Sequence, residues 1–164
     1  MKKILLLLLT STIVFAQKSE ADKTEINTTL NNWHKAAATA NFKDYFDVLT
    51  DDAIYIGTDA TENWNKVQFQ AFAKPYFDKG KAWNFSALER HIYFSKDGKM
   101  AWFDELLDTQ MKICRGSGVL VKIKNKWFIK HYVLSMTIPN DTTKDVIKIK
   151  TPIEDVILEK LKSK

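Results

Sequence analysis

Cysteine, proline, glycine and arginine are all scarce in this 164-residue chain, and each shortage excludes something. Cys114 is the single cysteine, so no intramolecular disulfide can brace the fold, which must stand on packing. The thiol has only Arg115 beside it in sequence, weak support for an activated nucleophile, and a buried inert side chain is the expectation. Five glycines and three prolines make no linker, repeat or low-complexity tract. Glycine clusters only in Arg115-Gly116-Ser117-Gly118, which lacks the Gly-Lys-Ser/Thr ending of a phosphate loop. There is no Gly-x-Ser-x-Gly nucleophile elbow. The three histidines, His34, His91 and His131, have no Cys or His at metal-ligand spacing, which argues against a dedicated zinc site, and no cofactor motif is present. Arginine occurs only at positions 90 and 115, and the lysines are interspersed with acids. The formal charge of +5 therefore describes a solvated surface rather than a nucleic-acid-binding face.

Long apolar runs are scarce too, with one exception at the start. Lys2 and Lys3 precede the apolar stretch Ile4 to Phe15, and Val14-Phe15-Ala16 offers a small or tolerated residue at −3 and −1 before Gln17. A transmembrane anchor needs about 20 apolar residues, more than this stretch holds. Residues 1–16 are expected to be a cleavable secretory signal, with no Cys after it for lipid attachment. The rest is expected to be exported, periplasmic or secreted, without a membrane anchor.

What is plentiful is apolar and aromatic: 45% of residues are hydrophobic, enough for one core. Asp22 and Glu25 form a capping-box pattern before a helix whose apolar stripe is Ile26, Leu30, Trp33 and Ala37. A second helix follows Asn41 with Phe42, Tyr45, Phe46 and Leu49, broken by Thr50-Asp51-Asp52 before the β-rich run Ala53 to Ile56. Asn65 and Gln68 repeat the capping box for a helix carrying Val67, Phe69 and Phe72, which Pro75 should end or kink. From Trp83 the period becomes two, predicting antiparallel strands at 83–94, 100–110, 112–124 and 127–138, with turns at 96–98 and 124–126. After Pro139 comes an appendage: an apolar segment at 146–149, then a terminal helix opened by Thr151-Pro152. Helices followed by strands predict an α+β fold, with helices packed on one face of a curved sheet. The expected divisions are signal 1–16, domain 17–140 and appendage 141–164.

Polar residues inside apolar strands are the candidates for function. Strand alternation puts Trp102, Asp104 and Leu106 on one face and Phe103, Glu105 and Leu107 on the other, so at least one carboxylate shares a face with core residues. A buried carboxylate needs a partner. Arg115, on the next strand with Ile113, Ser117 and Val119, is the expected one, because a guanidinium pairs with carboxylates through two donors. His131 falls on the face of Ile129 and Val133. If the strands are neighbours, these groups converge on a cavity rimmed by Trp33, Tyr55, Trp64, Trp83 and Trp102, mostly aromatic with a few polar groups, as small-molecule sites are built. The alternative reading of the same residues is purely structural: an in-sheet ion pair and an aromatic core.

Trp33-His34, Phe42-x-x-Tyr45, Asp52-Ala53-Ile54-Tyr55-Ile56-Gly57-Thr58-Asp59-Ala60-Thr61-Glu62-x-Trp64, Ala101-Trp102-Phe103-Asp104-Glu105, Arg115 to Leu120 and Trp127-x-Ile129-x-His131-Tyr132-x-Leu134-Ser135 occur in this order. Together they resemble the SnoaL-like branch of the nuclear transport factor 2-like superfamily over about residues 20–140. The resemblance implies a cone-shaped barrel, with a curved antiparallel sheet wrapped around N-terminal helices and a pocket at the wide end, often as a homodimer through the sheet. It also implies possible isomerase, cyclase or dehydratase-like proton transfer. Asp104, Glu105 or His131 then stand as candidate bases and Arg115, Tyr55 or Tyr45 as donors. The alternative is a non-catalytic dimerisation or protein-interaction module.

Overall fold

A computed structural model describes residues 2–163, with side chains from Glu20 onward; the side chains of residues 1–19, and with them the expected export signal, lie outside the described residues. Helix α1 (Lys2–Ala38) is followed by α2 (Phe42–Asp47), strands β1 (Leu49–Ile56) and β2 (Asn63–Asn65), α3 (Lys66–Asp78), β3 (Ser86–Phe94), β4 (Met100–Thr109), β5 (Lys112–Ile123), β6 (Lys126–Met136), a short 3-10 turn at Asn140–Thr142, and α4 (Thr143–Lys162). The six strands form one sheet in the order β2-β1-β6-β5-β4-β3. All neighbours run antiparallel except β1 and β6, which are parallel. The sheet is not closed: β2 and β3 are its edges, so the expected barrel is an open cone of α+β class.

The apolar stripe of α1 packs as its spacing demands, with Ile26, Leu30, Trp33 and Ala37 buried against the inner sheet face. Asn41 caps α2 by accepting from the Asp44 N–H, and Asn65 and Gln68 form a reciprocal capping box on α3. The four long strands match their predicted spans within a few residues. Lys124 and Asn125 both take positive φ in the two-residue turn joining β5 to β6, the geometry that a tight hairpin requires.

Several local expectations are corrected. Asp22 does not cap a helix, because α1 already runs through it; its buried carboxylate instead accepts from Lys122 Nζ and, at 3.3 Å, from Trp127 Nε1, tying α1 to the sheet. Thr50 to Asp52 do not separate helix from strand but lie within β1, where the register against β6 slips between Leu49 and Ile54. Pro75 sits inside α3, which continues to Asp78; Ala71 and Pro75 are both exposed, so water can satisfy the freed carbonyl. The buried face of α3 is Phe69, Ala73 and Phe77, with Val67 outside. The two segments expected at the C-terminus are one helix with Pro152 inside it, and none of its residues is buried.

Candidate functional site

Strand parity builds a buried charge cluster. On β4 the inward residues are Ala101, Phe103, Glu105, Leu107 and Thr109, which leaves Glu105 only 1% exposed amid the core. Its partner is Arg90, directly opposite on β3, whose Nε and Nη2 reach Oε2 at 2.9 and 2.6 Å. His34 Nε2 lies 2.9 Å from Oε1, and the Tyr132 hydroxyl donates to the same oxygen at 3.0 Å. Arg90 Nη1 reaches on to Asn27 Oδ1 and Asn31 Oδ1, both at 3.0 Å, so the cluster bolts α1 to the sheet. Burial pushes the Glu105 carboxyl up, but the hydrogen bond from His34 and the charge and hydrogen bonds of Arg90 outweigh it and hold the group below its ordinary value. Tyr132, starved of solvent and facing the Glu105 charge, is pushed well up.

Gly116 explains why the cluster fits. A Cβ there would come within 2.2 Å of the Tyr132 hydroxyl and 2.9 Å of Glu105 Oε1. Glycine is thus required by close approach rather than by backbone angle.

A separate aromatic cavity of about 150 Å³ is walled by Tyr55, Trp64, Phe69, Phe72, Trp83 and Phe85. The walls are stacked: Tyr55 on Phe69 at 3.9 Å and 15°, and Trp64 on Phe72 at 4.4 Å and 23°. Glu62 and Gln110 supply polar lining. The loop from Gly57 to Glu62 holds the carboxylate in place: Gly57 N–H donates to the Glu62 carbonyl at 3.0 Å, and Asp59 N–H to Glu62 Oε2 at 3.1 Å. Gly57 yields its side-chain space to that carboxylate, which would lie 2.1 Å from a Cβ. Burial, then the neighbouring charge of Glu62, pushes the Tyr55 hydroxyl up.

Of the residues expected at the site, Tyr55, Trp64 and Trp83 line this cavity. Trp33 and Tyr45 are instead the centre of the core, stacked on each other at 5.0 Å, and the buried Trp33 Nε1 has no hydrogen-bond partner among the described residues. Burial pushes the Tyr45 hydroxyl well up. The expected ion pair of Arg115 with Asp104 or Glu105 is not formed. Cys114, Gly116 and Gly118 face inward on β5, so Arg115 projects outward, opposite Leu106 and Ser135. Asp104 and Trp102 share that outer face; Asp104 bonds His91 Nδ1 at 3.1 Å, and Trp102 stacks on Tyr93 at 6.0 Å. His131 also faces outward. A β-bulge slips the register between Val119 and Leu120, so that Lys130 is an extra residue and Tyr132, not His131, points in with Ile129. His34 and Arg90 were missed as partners of Glu105. The available signal was Asn27, Asn31 and His34 recurring every three or four residues beside the apolar stripe of α1. Among the described residues no group of three or more His, Cys, Asp or Glu side chains is placed to hold a metal ion.

Comparison with known proteins matches residues 26–139 to the SnoaL-like domain. The chain belongs to the SnoaL-like family. Solved structures share the fold at low sequence identity. One is a nuclear transport factor 2-like protein of unknown function from Pseudomonas putida, 14% identical with a TM-score of 0.62, covering 75% of this chain and 92% of that one. A protein described as a candidate scytalone dehydratase from Novosphingobium aromaticivorans is 8% identical, with a TM-score of 0.65 over 75% of this chain and 89% of its own. The association domain of C. elegans CaMKII is 17% identical, with a TM-score of 0.59 over 71% and 97%. No curated protein matches the SnoaL-like chain significantly.

Proposed function

We propose that the chain is an exported SnoaL-like domain that binds a small organic molecule, one aromatic ring in size, in the cavity between Tyr55, Trp64, Phe69 and Trp83. The observation that carries this reading is the cavity itself: about 150 Å³ walled by stacked aromatic rings. An apolar cavity of about that volume takes benzene, and mostly apolar walls with a few polar groups are how small-molecule sites are built. Glu62 is the carboxylate placed to orient a polar substituent or to move a proton. Glu105 is not, because four donors already saturate its oxygens. Export rests on the basic and apolar pattern of residues 1–16.

The test is native mass spectrometry and thermal shift of residues 17–164 against a panel of single-ring compounds. A ligand at one hundred times its dissociation constant adds about 2.7 kcal/mol, a rise of several degrees. That rise should vanish in Trp64→Ala. If no ring compound raises the melting temperature or is retained, the reading is wrong.

The outer sheet face supports a second role as a homodimer surface. The stacked Tyr93 and Trp102 are 48% and 46% exposed there, with Met100 beside them. Sedimentation of Trp102→Lys should give a lighter species than the parent chain; equal masses would remove this role.

A further inference from the structure

Glu105 decides where the proton sits on His34. An ionised carboxylate only accepts, so the 2.9 Å contact from His34 Nε2 to Glu105 Oε1 is donated by the imidazole, and in the neutral ring Nδ1 carries the lone pair. That nitrogen makes no hydrogen bond to the protein among the described residues, and it is absent from the buried, unpartnered polar atoms. His34 lines an open cleft of about 390 Å³ between α1 and residues 84–87. Asn31, Lys35, Asn84 and Ser86 are its polar lining, and Phe85, Ala38 and Ala87 its apolar lining. Phe85 meets the His34 ring edge-on at 6.0 Å and also walls the aromatic cavity, so the two spaces share it without being one.

We propose that this cleft is a second ligand subsite, which takes a neutral phenol with its hydroxyl donating to His34 Nδ1 and its ring against Phe85 and Ala87. The chemistry selects this class. A carboxylate brings only acceptors to a lone pair, and an ammonium group is opposed by Lys35 at the cleft and Arg90 behind Glu105. Glu105 on β4 and Tyr132 on β6 complete the polar groups packed around the imidazole, and both are already committed to each other. Glu105 is a positioning residue: it fixes the tautomer, as a carboxylate behind an imidazole does in hydrolase triads. The subsite stands independently of a ligand in the aromatic cavity.

The experiment is a titration of the full chain, labelled with 15N-histidine, with phenol and with anisole, which has the same ring and no donor. Long-range 1H–15N spectra at pH 8 should show His34 as the Nε2–H tautomer, and phenol should shift its Nδ1 resonance while anisole does not. His34→Leu should bind phenol about fivefold to tenfold more weakly, the loss of one hydrogen bond. Should that variant fail to fold, the phenol and anisole comparison on the unaltered protein decides alone. Trp64→Ala, which alters only the aromatic cavity, should leave the Nδ1 shift intact. A ring protonated on both nitrogens, an Nδ1–H tautomer, equal shifts from the two ligands, or no shift with phenol up to its solubility would overturn the subsite and leave the cavity reading standing.

Discussion

Arg90 and Glu105 face each other across β3 and β4, and the guanidinium closes on one carboxylate oxygen through two nitrogens, at 2.9 and 2.6 Å. Removing one partner strands the other charge in the core. Arg90→Ala is therefore expected to cost about 3–5 kcal/mol, read from urea midpoints, whereas replacing both residues (Arg90→Met with Glu105→Leu) should cost less than the single change. A double variant weaker than Arg90→Ala would show that the pair contributes specific stabilisation beyond cancelling its own burial.

The same carboxylate sets an acid limit on the fold. Because its folded-state value lies below the ordinary 4.5, its contribution is present above that value and is lost as the pH falls through the folded one. Stability measured between pH 7 and pH 3 should fall steeply below about 4.5 in the parent chain and more gently in Glu105→Gln, which has no proton to take up. Parallel profiles for the two proteins would remove Glu105 from the acid response.

Gly116→Ala tests how tightly the cluster is packed. The added methyl meets the Tyr132 hydroxyl at 2.2 Å, between two strands that cannot part without losing ladder bonds. Overpacking of this kind costs about 1–3 kcal/mol. Gly80→Ala meets nothing within 4 Å and only the strain of φ +70°, so about 1 kcal/mol is expected there. Chemical denaturation of both variants gives the order, and a Gly116 variant as stable as the parent would mean that the Tyr132 contact is loose.

The fold was legible in the sequence because period, caps and turns are local signals: the strands from 86 to 136, the Asn65 and Gln68 box and the α1 stripe all emerge within a few residues of their places. The charge cluster was only half legible. Alternation put Asp104 and Glu105 on opposite faces, but Arg115 and Arg90 lie on the two strands flanking β4, and nothing local states which one turns inward. One extra residue at Lys130 reversed the parity of everything after it, which sent His131 out and Tyr132 in. Tyr55 and Trp64 line the cavity from the two strands that flank the 57–62 loop, and Trp83 from the segment leading into β3; Trp33 and Tyr45 are of the same residue types but sit on helices that fill the centre.

Helix α4 offers the last prediction. It has no buried residue, and its apolar side chains Ile147, Ile149, Ile153, Val156 and Leu161 remain more than half exposed. Only Val146, Glu154 and Ile157, with Thr143 at its start, are partly covered; the first three line an open groove against residues 58–60 and 135–142. So little area leaves water there that the helix adds almost nothing to the core. A chain ending after Thr142 should unfold in urea within about 0.5 kcal/mol of the full one, the scale of surface changes that touch no special feature. It should also be more soluble, because a contiguous apolar stripe has gone. A loss of 2 kcal/mol or more would mean that Val146 and Ile157 pack on the cone and that α4 is part of the domain rather than an appendage.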